Sequence, residues 1–90
     1  MKLRNVQEEI FVAVFWSPFT GKIGYRGPAG ALSSVNKIGK FDILSEHTNF
    51  ISLIFKKLTI HLKEKRQVEY EFKRGVLEVS DNLVKVFLGI

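Results

Sequence analysis

Residues 58–88 read LTIHLKEKRQVEYEFKRGVLEVSDNLVKVFL, and this stretch decides the fold. Its period is two. Val68, Tyr70 and Phe72 alternate with Glu69, Glu71 and Lys73, the pattern of a strand with one wet face. Leu58, Ile60 and Leu62 alternate with Thr59, His61 and Lys63 in the same way, and Val84, Val86 and Leu88 share one face opposite Leu83, Lys85 and Phe87. Between these runs lie turn signals. Glu64 to Gln67 suits a hairpin loop, and Asp81-Asn82 supplies two residue types that tolerate the left-handed backbone of a tight hairpin. Arg74-Gly75, between two β runs, marks a bulge or corner.

The same period extends toward the N-terminus. Ile10, Val12, Val14 and Trp16 alternate with Phe11, Ala13 and Phe15, so this strand is apolar on both faces and is expected to be central. Ser17-Pro18 and Thr20-Gly21 are turn dipeptides after it. Asn49 to Leu58 is the closest approach to a helical run, but its β-branched and aromatic content favours a strand. Glycines at 21, 24, 27 and 30 read as turns and bulges around a twisted strand rather than as a collagen repeat, for which the run is too short and too poor in proline. About nine or ten short strands at this spacing imply an all-β chain forming one β-sandwich. Residues 1–90 form a single domain, since domains usually run roughly 100–200 residues.

Composition narrows the function. The chain is 46% hydrophobic and 26% charged, a globular balance. It has no cysteine, which excludes disulfides, thiolate metal sites and thiol nucleophiles. The net charge is +5, with Lys56, Lys57, Lys63, Lys65, Arg66, Lys73 and Arg74 expected at strand ends and on exposed faces, where they discourage edge-to-edge aggregation. Lys2 and Arg4 precede the apolar run of Ile10 to Trp16, but Glu8 and Glu9 intervene and no small-residue cleavage site follows, so a buried strand explains the run better than a signal peptide. Phe50 to Phe55 is far too short to span a membrane.

Candidate chemistry is sparse. His61 falls on the polar face of its strand and reads as a solvated side chain. His47, with Asp42 and Glu46, is the one grouping with metal-ligand character, and it lacks a second histidine or a cysteine at ligand spacing. Ser45 lies two residues from His47 without an elbow motif, and carboxylate pairs occur only as the solvent-face Glu8-Glu9 and Glu69/Glu71. Gly21-Lys22-Ile23-Gly24 matches a GXXG loop, but such a loop joins two helices and none is expected here. No phosphate loop or dinucleotide fingerprint is present. No catalytic residue, cofactor or metal is therefore expected.

Tyr25 to Ser52 reads YRGPAGALSSVNKIGKFDILSEHTNFIS. Tyr25, Gly27 and Ala29, then Gly39, Phe41, Asp42, Ile43, Leu44 and His47, resemble in order and spacing the signature of the rotary ATP synthase epsilon subunit, N-terminal domain. Gly75-Val76-Leu77-Glu78-Val79 and Asn82-x-Val84-x-Val86 resemble that family's closing strands. The residues themselves also have structural roles: Phe41, Ile43 and Leu44 are expected in the core, Gly39 in a turn, and His47 in hydrogen bonds of its loop.

The resemblance implies a non-catalytic central-stalk component that couples the gamma subunit to the membrane ring (c subunits) during proton- or sodium-driven ATP synthesis. It places the protein in the cytoplasm, peripheral on the inner face of the cell membrane, with no direct membrane insertion and no nucleic-acid partner expected. The loop Lys37, Ile38, Gly39 and Lys40 would face the ring, and His47 and Ser52 would face gamma. Ser45 stands where the family usually has proline, and Lys40 where some members are acidic. Many members continue into a C-terminal helical hairpin that senses ATP; this sequence ends at Ile90, and neither nucleotide binding nor self-inhibition is expected of it. The competing reading is a free-standing basic β-sandwich or barrel that binds nucleic acid or another anionic partner. It rests on charge alone, because most aromatic residues fall on faces expected to be buried.

Overall fold

Seven strands follow one another along the chain: β1 (Ile10–Trp16), β2 (Lys22–Ala29), β3 (Ala31–Val35), β4 (Lys40–Ile43), β5 (Phe50–His61), β6 (Gln67–Ser80) and β7 (Leu83–Leu88). The structure is a computed structural model that describes residues 9–16 and 22–90. The turn dipeptides Ser17-Pro18 and Thr20-Gly21, the first residue of the GXXG match, and Glu8 with the basic N-terminus lie outside the described residues. All seven strands belong to one mixed sheet in the order β2-β1-β7-β6-β5-β3-β4. Every pairing is antiparallel except that of β1 with β7, the first and last strands.

The all-β expectation holds, with fewer and longer strands than the sequence suggests. Val68–Phe72 and Gly75–Val79 are two arms of the single 14-residue β6, and the two apolar runs from Asn49 to Leu62 merge into the 12-residue β5. The reason is a bulge. In the β5–β6 ladder Phe55 pairs with Arg74 and Lys56 with Phe72, leaving Lys73 as an extra residue. Lys56 adopts φ +76° at this point. An extra residue exchanges the faces of a strand. Val68, Tyr70 and Phe72 therefore point inward before it, and Gly75, Leu77 and Val79 after it. The expected corner at Arg74-Gly75 is where the long hairpin bends.

Bending there folds the sheet into two layers. The first comprises β2, β1, β7 and the Phe50–Phe55 and Arg74–Ser80 arms of β5 and β6. The second comprises the other arms with β3 and β4. Ile10, Val12, Val14, Val84, Val86 and Leu88 of the first layer share one buried cluster with Leu32, Ile43, Leu58 and Ile60 of the second. Burying each Leu or Ile contributes about 1.5–3 kcal/mol, so this cluster is the main source of stability. The Gly30 N–H donates to the His61 carbonyl at 2.9 Å where the chain crosses from β2 to β3.

Local details follow the sequence signals. Asp81 takes φ +56° in the β6–β7 turn, the left-handed conformation its residue type favours. A single 3-10 turn, Lys63–Lys65, joins β5 to β6. The seven basic residues expected at edges and ends are all exposed. Leu44 departs from expectation: it is 55% exposed. Phe41 and Ile43 alternate inward along β4, so the next residue points away from the core as the loop begins.

Candidate docking surface

The outer face of the first layer is apolar. β1 does lie inside the sheet, between β2 and β7, yet only its Ile10–Val12–Val14 face meets the core. Phe11, Ala13 and Phe15 point the other way. Register then builds an unbroken apolar row across five strands. Ile23 lies opposite Phe15, Phe15 beside Phe87, Phe87 opposite Val76, and Val76 opposite Leu53. With strands about 4.8 Å apart, the row is about 19 Å wide. Phe15 and Phe87 stack at its centre, ring centroids 5.1 Å apart and planes 13° from parallel.

A second row adds Phe11 beside Leu83, and Ile51 continues the face along β5. Phe11 is 44% exposed, Leu53 48% and Ile51 70%. Between the rows, Lys85 and Glu78 face each other across β7 and β6, and Arg26 lies opposite Ala13. An apolar row of this extent, with charges along one side of it, is a candidate interaction surface, because isolated soluble domains rarely leave a large apolar patch uncovered. Its signal in the sequence was β1 itself: apolar residues on both sides of a strand meant a core on one side and this outward face on the other.

The residues singled out by the resemblance occupy two places. Lys37 and Ile38 form the tip of the β3–β4 hairpin. The Asn36 N–H donates to the Gly39 carbonyl at 3.0 Å, and the Asn36 side-chain oxygen accepts from the N–H groups of Ile38 at 2.9 Å and Gly39 at 3.2 Å. Gly39 has φ +145°, which a side chain would strain. Lys40 opens β4 opposite Val35. Ser52 is close to this hairpin, since the Asn36 amide nitrogen donates to its hydroxyl at 3.4 Å. Lys37, Ile38, Ile51, Ser52 and Leu53 line one shallow depression of ≈300 Å³, so the hairpin adjoins the end of the apolar face. His47 is elsewhere, its ring edge-on to Phe50 at 5.5 Å and its Nδ1–H donating to the Thr48 carbonyl at 2.7 Å.

The Asp42, Glu46 and His47 grouping does not form a ligand set. Among the described residues no three His, Cys, Asp or Glu side chains are gathered to hold a metal. Asp42 instead accepts the Ser33 hydroxyl proton at 2.6 Å, and His61 Nε2 lies 2.9 Å from the same hydroxyl oxygen. His61 is thus half-buried and engaged, where its sequence position suggested a solvated ring. With the serine proton committed to Asp42, Nε2–H must donate to the serine oxygen. The trio ties β4, β3 and β5 together on the second layer's outer face.

No protein-family model and no characterised protein sequence matches the chain. Its fold, however, recurs in solved rotary ATP synthases. A chain of the Euglena gracilis mitochondrial ATP synthase, in the OSCP/F1/c-ring structure in rotational state 1, matches with a TM-score of 0.80 and 14% identity. A chain of the Tetrahymena thermophila mitochondrial ATP synthase central stalk and c-ring matches with a TM-score of 0.73 and 11% identity. The matches cover 98% and 93% of this chain, which spans 55% and 66% of the lengths of those two. The class is therefore an all-β, sandwich-like domain. In particular, it has the fold of domains found in the central-stalk and ring assemblies of mitochondrial ATP synthases, the fold that the Tyr25–Ser52 resemblance implied.

Proposed function

We propose that this chain is a non-catalytic central-stalk component of a rotary ATP synthase, coupling the gamma subunit to the membrane ring during proton- or sodium-driven ATP synthesis. The observation that carries the proposal is the apolar row Ile23–Phe15–Phe87–Val76–Leu53 on a fold shared with chains of such assemblies. A coupling part needs one face that binds its neighbour without turning against it. Removing a broad apolar face from water provides that non-directional attraction, and the Lys85, Glu78 and Arg26 charges set the orientation.

In this reading the docked gamma subunit covers the outer face near Ile51 and Leu53, with Ser52 at its margin and His47 at a neighbouring contact. The hairpin of Lys37, Ile38, Gly39 and Lys40 points toward the ring. The protein works at the cytoplasmic side of the membrane as a peripheral member of the complex. No helix among the described residues is long and apolar enough to cross a membrane. The chain makes and breaks no bonds; its part is to hold shape under torque. Two layers closed around one buried cluster, with the long β5–β6 hairpin running through both, suit that part.

Co-purification with a gamma subunit tests the proposal. A stable complex is expected with the unaltered chain and loss of it with Phe15→Glu. Failure to associate where related pairs assemble would sink the proposal.

A further inference from the structure

The long hairpin leaves one stretch of sheet edge open. On one side β6 pairs with β5 from Gln67 to Val79, Lys73 apart. On the other side β7 covers only residues 75–80, with the Gly89 N–H adding a last bond to the Arg74 carbonyl at 3.1 Å. Residues 67–73 have no second neighbouring strand among the described residues.

The direction of the backbone groups along this edge follows from their partners. The His61 carbonyl accepts from the Gly30 N–H and the Lys57 carbonyl from the Ser34 hydroxyl, so both residues of β5 turn their backbone groups toward the β3 side. In an antiparallel ladder the residues opposite them, Gln67 and Glu71, then turn theirs away from β5, and Glu69 between them does the same. The N–H and C=O groups of these three exposed residues therefore point out of the open edge.

The two end strands of the sheet are blunted by other means. β2 carries Pro28, which has no N–H, and its Tyr25 N–H is taken by Tyr70, while β4 is only four residues long. The edge at 67–73 is guarded by charge alone. Val68, Tyr70 and Phe72 pack inward, and Glu69 and Glu71 stand on the outer face. There Lys57 lies opposite Glu71 and 3.8 Å from Glu69, one cation beside two carboxylates.

We propose that this edge takes up an extended segment of a partner protein, in which basic and apolar residues alternate, as an added antiparallel strand. Its basic side chains stand directly opposite Glu69 and Glu71, and its apolar ones extend the inward row of Val68, Tyr70 and Phe72. Main-chain hydrogen bonds hold the strand, and the cross-strand charge pairs select it. A second copy of this chain fits poorly, because antiparallel pairing centred on Tyr70 or on Glu71 sets glutamate against glutamate. The edge belongs to the second layer, so the contact leaves the apolar row of the first layer free and does not depend on gamma. It goes beyond the coupling role.

The test uses the purified chain and a capped seven-residue peptide of alternating valine and lysine, with valine at both ends. Hydrogen exchange is read residue by residue. Without peptide, Gln67, Glu69 and Glu71 should exchange at least about tenfold faster than Val68 and Tyr70, whose N–H groups face β5. Saturating peptide should slow those three by about tenfold or more. Methylating the backbone nitrogens of the peptide's lysines keeps its charge but removes the donors that meet the edge, and should weaken binding by about tenfold or more. Glu69→Lys with Glu71→Lys should weaken it by a similar factor, with urea unfolding showing that the double variant is folded. No slowing at Gln67, Glu69 and Glu71 overturns the proposal. So does equal binding of the methylated peptide, or of the unaltered peptide by the folded double variant. Slowing without peptide that grows with protein concentration assigns the edge to a second copy and overturns the proposal as well.

Discussion

The Tyr70 hydroxyl accepts a hydrogen bond from the backbone N–H of Tyr25 at 2.8 Å, joining β6 in the second layer to β2 in the first across 45 residues of sequence. Trp16 stacks on the same Tyr70 ring at 5.9 Å. One side chain thereby closes the side of the two-layer fold and satisfies a backbone donor that β2's irregular pairing leaves free.

Tyr70→Phe keeps the ring and removes the acceptor. The partly buried Tyr25 N–H then lacks its partner, and the domain should lose about 1–2 kcal/mol. Urea unfolding is the measurement: the midpoint should fall while the slope stays the same.

Gly75 is where the long hairpin bends, and a side chain has no room there. A Cβ would lie 2.7 Å from the Phe87 carbonyl oxygen and 2.9 Å from a Leu88 methyl. The oxygen belongs to the paired β7 backbone, so Gly75→Ala should cost about 2 kcal/mol or more through forced strand movement. Gly30→Ala is the control. Its nearest contact would be an ordinary 3.7 Å to the His61 carbonyl, and its midpoint should shift little.

Asn36 carries the hairpin turn. Asn36→Ala removes the acceptor of the Ile38 N–H, one of the two acceptors of the Gly39 N–H (the Asn36 carbonyl at 3.1 Å remains) and the donor to Ser52. Because the tip is exposed, global stability should drop by no more than about 1 kcal/mol. Hydrogen exchange at Ile38 should instead accelerate by about tenfold or more, and less at Gly39, which keeps its bond to the Asn36 carbonyl.

Phe15 and Phe87 separate docking from folding. Both are half-buried on the outer face, outside the core cluster, so Phe15→Ser should cost the isolated domain only about 1 kcal/mol, chiefly the lost stacking. Association with gamma should weaken by about 30-fold or more, as expected for a central aromatic anchor. His47→Ala and Ser52→Ala should weaken it less, since one ring packs on Phe50 and the other hydroxyl is bonded to Asn36 within the fold. Titration of labelled chain with gamma measures all three.

Much of this was legible in residue order. The alternation at Val68–Phe72, Leu58–Leu62 and Val84–Leu88 identified strands and their inward faces, because the side-chain period of a strand is a local property of the backbone. Asp81-Asn82 and Arg74-Gly75 marked a turn and a bulge through equally local conformational preferences. What local pattern could not show was continuity. Whether two runs on either side of Lys73 are separate strands or one bent strand depends on a partner pairing with both, and that partner is β5.

Faces were the other limit. The two-sided apolar pattern of β1 was open to a strand buried on both faces, and only the order β2-β1-β7-β6-β5 lines Phe15 up with Ile23, Phe87, Val76 and Leu53 on an uncovered side. His61 with Ser33 and Asp42, and Tyr70 with Tyr25, likewise came together through pairings between distant segments. By itself the sequence determined that this chain makes strands, where several of them turn and which face the regularly alternating ones bury, since those follow from neighbours along the chain. The tertiary structure decided the two-layer fold, the apolar row and the held hairpin tip, because register between strands far apart in sequence is settled only when they share one core.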